Sequence, residues 1–415
     1  MQKAEGRRQH HRGSRRGVSI LEVIFAILVT TIGLLAALTV FPVAAAIAKK
    51  GRIADETTVS GRAAVHIFDA KGHRRPDMWI GWNQSWDVRV SPPAPPVPPP
   101  GFYSVPTIVF PTGTAFCIDP RFIAVNATPF VPAEANAASI FPYVPPAGTP
   151  EPRMFRIGLT NGVPGGALMS KVQADSIFTF ADDQTVTRPA DNSLPAFGTF
   201  SQGDSNNDGT PDFMTARSTD GHLSWMATLA PKHELYAPGV VANDLYVLSI
   251  VVFYDRPLVD FTFDAIPAAS SPPDSSESMY NLGERVVGAD FADAGGTGFA
   301  GGETVLMWPP SGTISPPSQA AFDSAKRMLK VRAGDWIMLS GFTPSAIGSL
   351  PVFKWYRVTE ADHEPEYHTS ENHYEVAVSL TGPDWDMSID QQATLLTGVV
   401  GVYEKTVRLE TGTGF

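Results

Sequence analysis

The stretch Asp204-Ser205-Asn206-Asn207-Asp208-Gly209-Thr210-Pro211-Asp212 spaces oxygen donors at Asp204, Asn206, Asp208 and Asp212 around a glycine. That pattern suits Ca2+, a hard ion that takes about six to eight oxygens and needs the chain to turn sharply between them. The bidentate glutamate that would close such a loop is missing; Thr215 stands there, between Met214 and Ala216. The competing reading is an Asx-rich surface turn. A second cluster, Asp362-His363-Glu364-Pro365-Glu366-Tyr367-His368-Thr369-Ser370-Glu371-Asn372-His373, sets three histidines five residues apart among acids. These are donors a transition metal accepts. A spacing of five is neither helical nor strand-like, however, and the cluster lies between two strand-like runs, so a polar hairpin loop is expected. The third group is a lone acid. From Val18 to Ala48 the only charged side chain is Glu22, and a carboxylate in apolar surroundings is costly enough to mark function and require a partner.

No established catalytic pattern accompanies these groups. The chain lacks HExxH, GxSxG, a Walker loop and a GxGxxG that opens a helix after a strand. Gly295-Gly296-Thr297-Gly298-Phe299-Ala300-Gly301-Gly302 reads as a loop, and no enzyme activity is expected. The single cysteine, Cys117, excludes an internal disulfide and a multi-cysteine metal site. It reads as a small buried apolar residue.

The 31 positions from Val18 to Ala48, Glu22 among them, would make a helix about 46 Å long, more than the roughly 30 Å hydrocarbon core of a bilayer. Residues 1–17 precede it with six Lys/Arg and one Glu, a net +5 within a chain of formal net charge −11, so the remainder carries −16. The basic start is expected to stay in the cytoplasm and send the rest across the membrane. An acidic body argues against nucleic acid as a partner. Ala44-Ala45-Ala46 could mimic a signal-peptidase site, and a plain signal anchor is the other simple reading; neither explains Glu22.

Gly17-Val18-Ser19-Ile20-Leu21-Glu22-Val23-Ile24-Phe25-Ala26 closely resembles the cleavage and methylation motif of type IV prepilins and type II secretion pseudopilins. The resemblance covers about the first 50 residues, and Val29-Thr30-Thr31-Ile32-Gly33-Leu34-Leu35 is most similar to the minor members of that family. It implies that a prepilin peptidase cuts after Gly17 and that Val18, where the family usually has Phe or Met, becomes the N-methylated first residue. By the same resemblance Glu22 is an assembly residue, offered to the amine of a neighbouring subunit in a filament. Pro42 removes one backbone hydrogen bond and is expected to kink or locally melt the helix, a flexibility the family exploits. The implied setting is a bacterial inner membrane crossed once, with the body extracytoplasmic and later part of a filament.

Beyond Pro42 the helix is expected to resume to about Phe68 and stop near Gly72. The domain reading is a leader at 1–17, an assembly helix at 18–70 and an aromatic, Pro-rich linker at 71–102. There follow a β-rich region at 103–265 with the candidate Ca2+ loop, a Gly/Pro/Ser-rich connection at 266–320, and a β-rich C-terminal region at 321–415. Within the linker, Ser91–Pro100 reads as polyproline II. The 36 glycines and 37 prolines favour short strands and loops. Ten strands are expected at Val105–Phe110, Thr114–Ile118, Arg153–Leu159, Leu223–Ala230, Leu245–Tyr254, Glu303–Met307, Asp335–Leu339, Val352–Thr359, Tyr374–Leu380 and Leu395–Leu409. Leu245–Tyr254, apolar on both faces, should be central and covered. The fold class is α+β: a long N-terminal helix followed by a large, mainly antiparallel β body. Two functions fit: a minor pilin or pseudopilin, or a membrane-anchored extracytoplasmic enzyme or carbohydrate-binding module on a pilin-like anchor. The glycine-to-glutamate motif favours the first.

Overall fold

Helix α1 occupies Ile20–Ala70 without interruption. It belongs to a computed structural model that describes residues 19–83, 101–104, 114–125, 140–142, 152–162, 166–180, 184–186, 217–219, 222–232, 245–256, 258, 283–291, 304–309, 318–343, 350–386, 389 and 391–410. Contacts divide the chain into two units, Met1–Glu56 and Thr57–Phe415. Pro42 sits inside α1, and helical backbone continues through it, so the expected local melting does not occur. Proline removes one N–H from the ladder but leaves the flanking turns hydrogen-bonded. The side chains at 36, 37, 39 and 40 are outside the described set, and among the described residues no helix is long and apolar enough to cross a membrane.

In the second unit, the last turns of α1 bury Thr57, Gly61, Ala64 and Phe68, the four- and three-residue steps of one helix face. The helix ends in a Schellman motif. Gly72 adopts φ +69°, its N–H donates to the Asp69 carbonyl, and the His73 N–H donates to the Phe68 carbonyl. The His73 ring then packs edge-on to Phe68, the apolar contact that accompanies such caps.

Eight strands form a sheet with the order β17 (Val399–Arg408), β9 (Leu245–Tyr254), β8 (Leu223–Pro231), β3 (Phe116–Ile118), β5 (Met154–Leu159), β1 (Trp79–Asn83) and β2 (Gly101–Ser104), with β4 (Ile140–Phe141) also on β5. Among the described residues only β3 and β5 run parallel; α2 (Pro120–Val125) follows β3, and β6 (Gln184–Val186) pairs with β7 (Arg217–Thr219) apart from this sheet. Both faces are covered, and period-two alternation assigns them. On β9, Tyr246, Leu248, Ile250 and Val252 join a core with Ala64, Phe68 and Phe178, the last from α3 (Lys171–Phe178). Val251 and Phe253 point the other way and pack with Met338, Phe353, Trp355 and Leu396. That is why the run Leu245–Tyr254 is apolar throughout.

Those last four residues belong to a second structure. Strands β11 (Thr304–Trp308), β10 (Glu284–Phe291), β16 (Gln391–Leu396), β12 (Trp336–Phe342), β13 (Pro351–Ala361) and β15 (His373–Thr381) pair in that order, and β15 returns to β11. The result is a closed, six-stranded antiparallel barrel, extended by the short β14 (Glu366–His368) on β15. Closure removes the free edges a sheet otherwise exposes. Its interior holds Val287, Val305, Met307, Leu339, Tyr356, Val378 and Leu395, with Ala325 and Met328 of α4 (Gln319–Met328) packed against them.

Three sequence expectations change here. Leu395–Leu409 is not one strand. The chain leaves the barrel at Leu396, turns at Thr397-Gly398, and enters the sheet as β17 beside β9. The 266–320 stretch, read as a connection, contributes β10 and β11 to the barrel. The 71–102 linker likewise supplies β1 and β2 to the sheet. Expected strand Val105–Phe110 lies outside the described residues.

Candidate functional site

Glu22 lies in the first turn of α1, where its backbone N–H donates to the Ser19 carbonyl at 2.9 Å. A carboxylate there complements the positive end of the helix dipole. The described large apolar side chains around and beyond it are bare: Ile20 is 80% exposed, Phe25 65% and Phe41 71%. Where polar groups interrupt this run they turn inward. The Thr30 hydroxyl donates to the Ala26 carbonyl at 2.7 Å, and Thr31 donates to the Ile27 carbonyl at 2.8 Å. Hydroxyls satisfied by their own helix leave an outer surface that requests only apolar neighbours. Pro42 is exposed on the same segment. Gly17 and Val18, the proposed cleavage and methylation positions, lie outside the described residues, as do Asp204, Asn206, Asp208 and Asp212.

The second half of α1 is held differently. On β17, Gly401, Tyr403 and Lys405 share one face and meet Thr57, Gly61 and Asp69 in turn. A Cβ added to Gly61 would lie 2.0 Å from the Tyr403 ring, and one added to Gly401 would lie 2.9 Å from Thr57 Cγ2. The Tyr403 hydroxyl donates to the Thr57 carbonyl at 3.0 Å. Lys405 Nζ reaches Asp69 Oδ2 at 2.8 Å, and Arg74 bridges Asp69 and Glu410. Sequence reasoning placed a helix here but did not foresee that Gly61 is where an aromatic ring lies across it.

It also missed a buried charge network. Asp119, after β3, accepts both terminal N–H groups of Arg256, which follows β9; the Nη1–Oδ1 distance is 2.8 Å. Arg156, on β5, places Nε 3.9 Å from Asp119 and pairs through Nη2 with Glu284 at the start of β10. All four side chains are at most 7% exposed. Burial alone would raise the Asp119 carboxyl, but Arg256 and then Arg156 outweigh it and hold it below its ordinary range. Two cations and two anions cancel, and the Arg156 guanidinium lies 3.9 Å over the Phe122 ring. The network ties three strands of the sheet to the first strand of the barrel; removing one partner from such a set typically costs about 3–5 kcal/mol. Cys117 is buried beside it, and burial together with Asp119 pushes its thiol up, away from reactivity.

His73 is another buried ionisable group. It is 4% exposed, stacked 5.7 Å from Phe178, and neither ring nitrogen has a hydrogen-bond partner. Burial, aided by Lys71, lowers its pKa from 6.5 to about 4. It is therefore a neutral, packing histidine under Phe68 rather than a proton carrier.

Comparison of the chain with models of known families, with curated proteins and with solved structures finds no match.

Proposed function

We propose that this protein is a minor pilin or pseudopilin, processed by prepilin peptidase after Gly17 and assembled through α1 into a pilus-like filament or secretion pseudopilus. The observation that carries the reading is the join between motif and helix. The Gly17–Ala26 stretch, with its basic leader and lone Glu22, opens a helix of 51 residues whose first part exposes large apolar side chains. An apolar surface of that extent calls for a cover of lipid or like helices. The run Val18–Ala48 supplies a membrane segment before assembly and a packing surface after it. The remainder of α1 packs on the β body through Thr57 and Gly61. On this reading the protein has a structural and interaction role, with the inner membrane, prepilin peptidase and other pilin or pseudopilin subunits as partners.

Glu22 then supplies the counter-charge for the methylated amine of Val18 on a neighbouring subunit and sets axial register. Glu22→Leu, expressed with its partner subunits, should still insert in the membrane and fold its body but fail to enter filaments. Incorporation at the wild-type level would contradict the role given to Glu22.

A further inference from the structure

The histidine-rich segment between β13 and β15 is brought together in a way its spacing conceals. Strands β14 and β15 form a tight hairpin in which His368 stands directly opposite His373, and Glu366 directly opposite Glu375. The turn between them passes through Asn372 at φ 55°, a left-handed position that asparagine tolerates. Alternation puts Tyr367 and Tyr374 on one face, where their rings meet edge to face at 5.2 Å and join the barrel core. Glu366, His368, His373 and Glu375 consequently share the other face.

On that face both imidazoles address one carboxylate. His368 Nε2 is 3.3 Å from Glu375 Oε1, and His373 Nε2 is 3.4 Å from Oε2. Charge-assisted N–H···O bonds are shorter, about 2.7–2.9 Å. Ligands about 2.0–2.1 Å from a tetrahedral ion stand about 3.3–3.4 Å apart, which is the separation seen. The outer contacts match as well. His368 Nδ1 lies 3.2 Å from Ser370 Oγ, a hydroxyl able to accept from an Nδ1–H and so leave Nε2 free for an ion. His373 is held by stacking on Trp308 at 5.3 Å, and its Nε2 is buried with no hydrogen-bond partner. With both rings in the Nδ1–H tautomer, a divalent cation between the two Nε2 atoms and the carboxylate would satisfy all of these groups.

We propose that His368, His373 and Glu375 bind one divalent transition-metal ion of the Zn2+ class, the fourth position falling to water or Glu366. Two imidazoles and one carboxylate are a borderline donor set that favours such an ion over Ca2+ or Mg2+. Among the described residues no three His, Cys, Asp or Glu side chains already converge as ligands. Each imidazole faces its own oxygen of Glu375, and rotation of His368, whose side chain is 53% exposed, would bring the three groups around one ion. The site would pin the hairpin tip to the barrel wall, and it stands independently of the filament reading.

The test is Co2+ titration of the full-length chain in detergent micelles, followed by visible absorption and reversed with Zn2+. Wild type should bind one Co2+ with tetrahedral bands that Zn2+ displaces. His368→Ala, at an exposed position that leaves the fold intact by circular dichroism, should abolish those bands. Ser370→Ala should keep the stoichiometry and weaken affinity about tenfold. Absence of binding at millimolar Co2+, or unchanged binding in His368→Ala, would overturn the proposal; the latter would move the ion to other histidines or the aspartate-rich loop.

Discussion

His73 gives the most direct test at the scale of one residue. Its folded pKa of about 4 lies below the ordinary 6.5, so between those values the unfolded chain binds the extra proton. Stability is therefore fully present above pH 6.5, falls as pH drops through the window, and levels off below pH 4. The shift corresponds to about 3 kcal/mol. His73→Leu should flatten the slope of stability against pH between 6.5 and 4, measured by urea denaturation at several pH values. An unchanged slope would mean that His73 is not the group responsible. Asp119 acts lower, since a depressed carboxyl gives up its contribution only below its ordinary value. Neither group was legible in the sequence. Arg156 sits in the apolar run Met154–Leu159 with nothing to mark its partners Asp119 and Glu284, which lie 37 and 128 positions away in the chain. Glu22 was noticeable, because it is the one charge in the 31 positions from Val18 to Ala48.

At the scale of elements, the face of α1 that packs on β17 depends on closeness. Gly61 admits the Tyr403 ring where any Cβ would collide with it, and the ring is tethered by its hydroxyl to Thr57. Gly61→Ala should displace Tyr403 and destabilise the second unit by about 1–3 kcal/mol, the usual range for overpacking. Chemical denaturation would measure it, and a stabilised variant would show that helix propensity outweighs the contact. Strands announced by long apolar runs, such as β8 and β9, were readable because both faces are buried. The break at Thr397-Gly398 was not, since the residues on either side continue the same alternating pattern and only tertiary packing separates barrel from sheet. The hairpin β14–β15 shows the converse. Histidines five apart looked incompatible with a shared site until a tight turn set His368 opposite His373.

Across the whole molecule, the α+β character and the long N-terminal helix followed from composition and pattern, whereas barrel closure did not. Closure rests on the pairing of β11 with β15, about seventy residues apart, and on β10, a strand hidden in a stretch whose glycines and prolines read as a connection. Long-range pairing of this kind leaves no local signature. The proposed function rests on the opposite end of the chain, where a local motif meets an exposed apolar helix. Mass spectrometry of the N-terminus of the protein isolated from its native membranes addresses that junction most directly. The account predicts a chain that begins at Val18 with a methylated amine. An intact Met1, or a chain that begins near Ile47 after signal-peptidase cleavage, would contradict it.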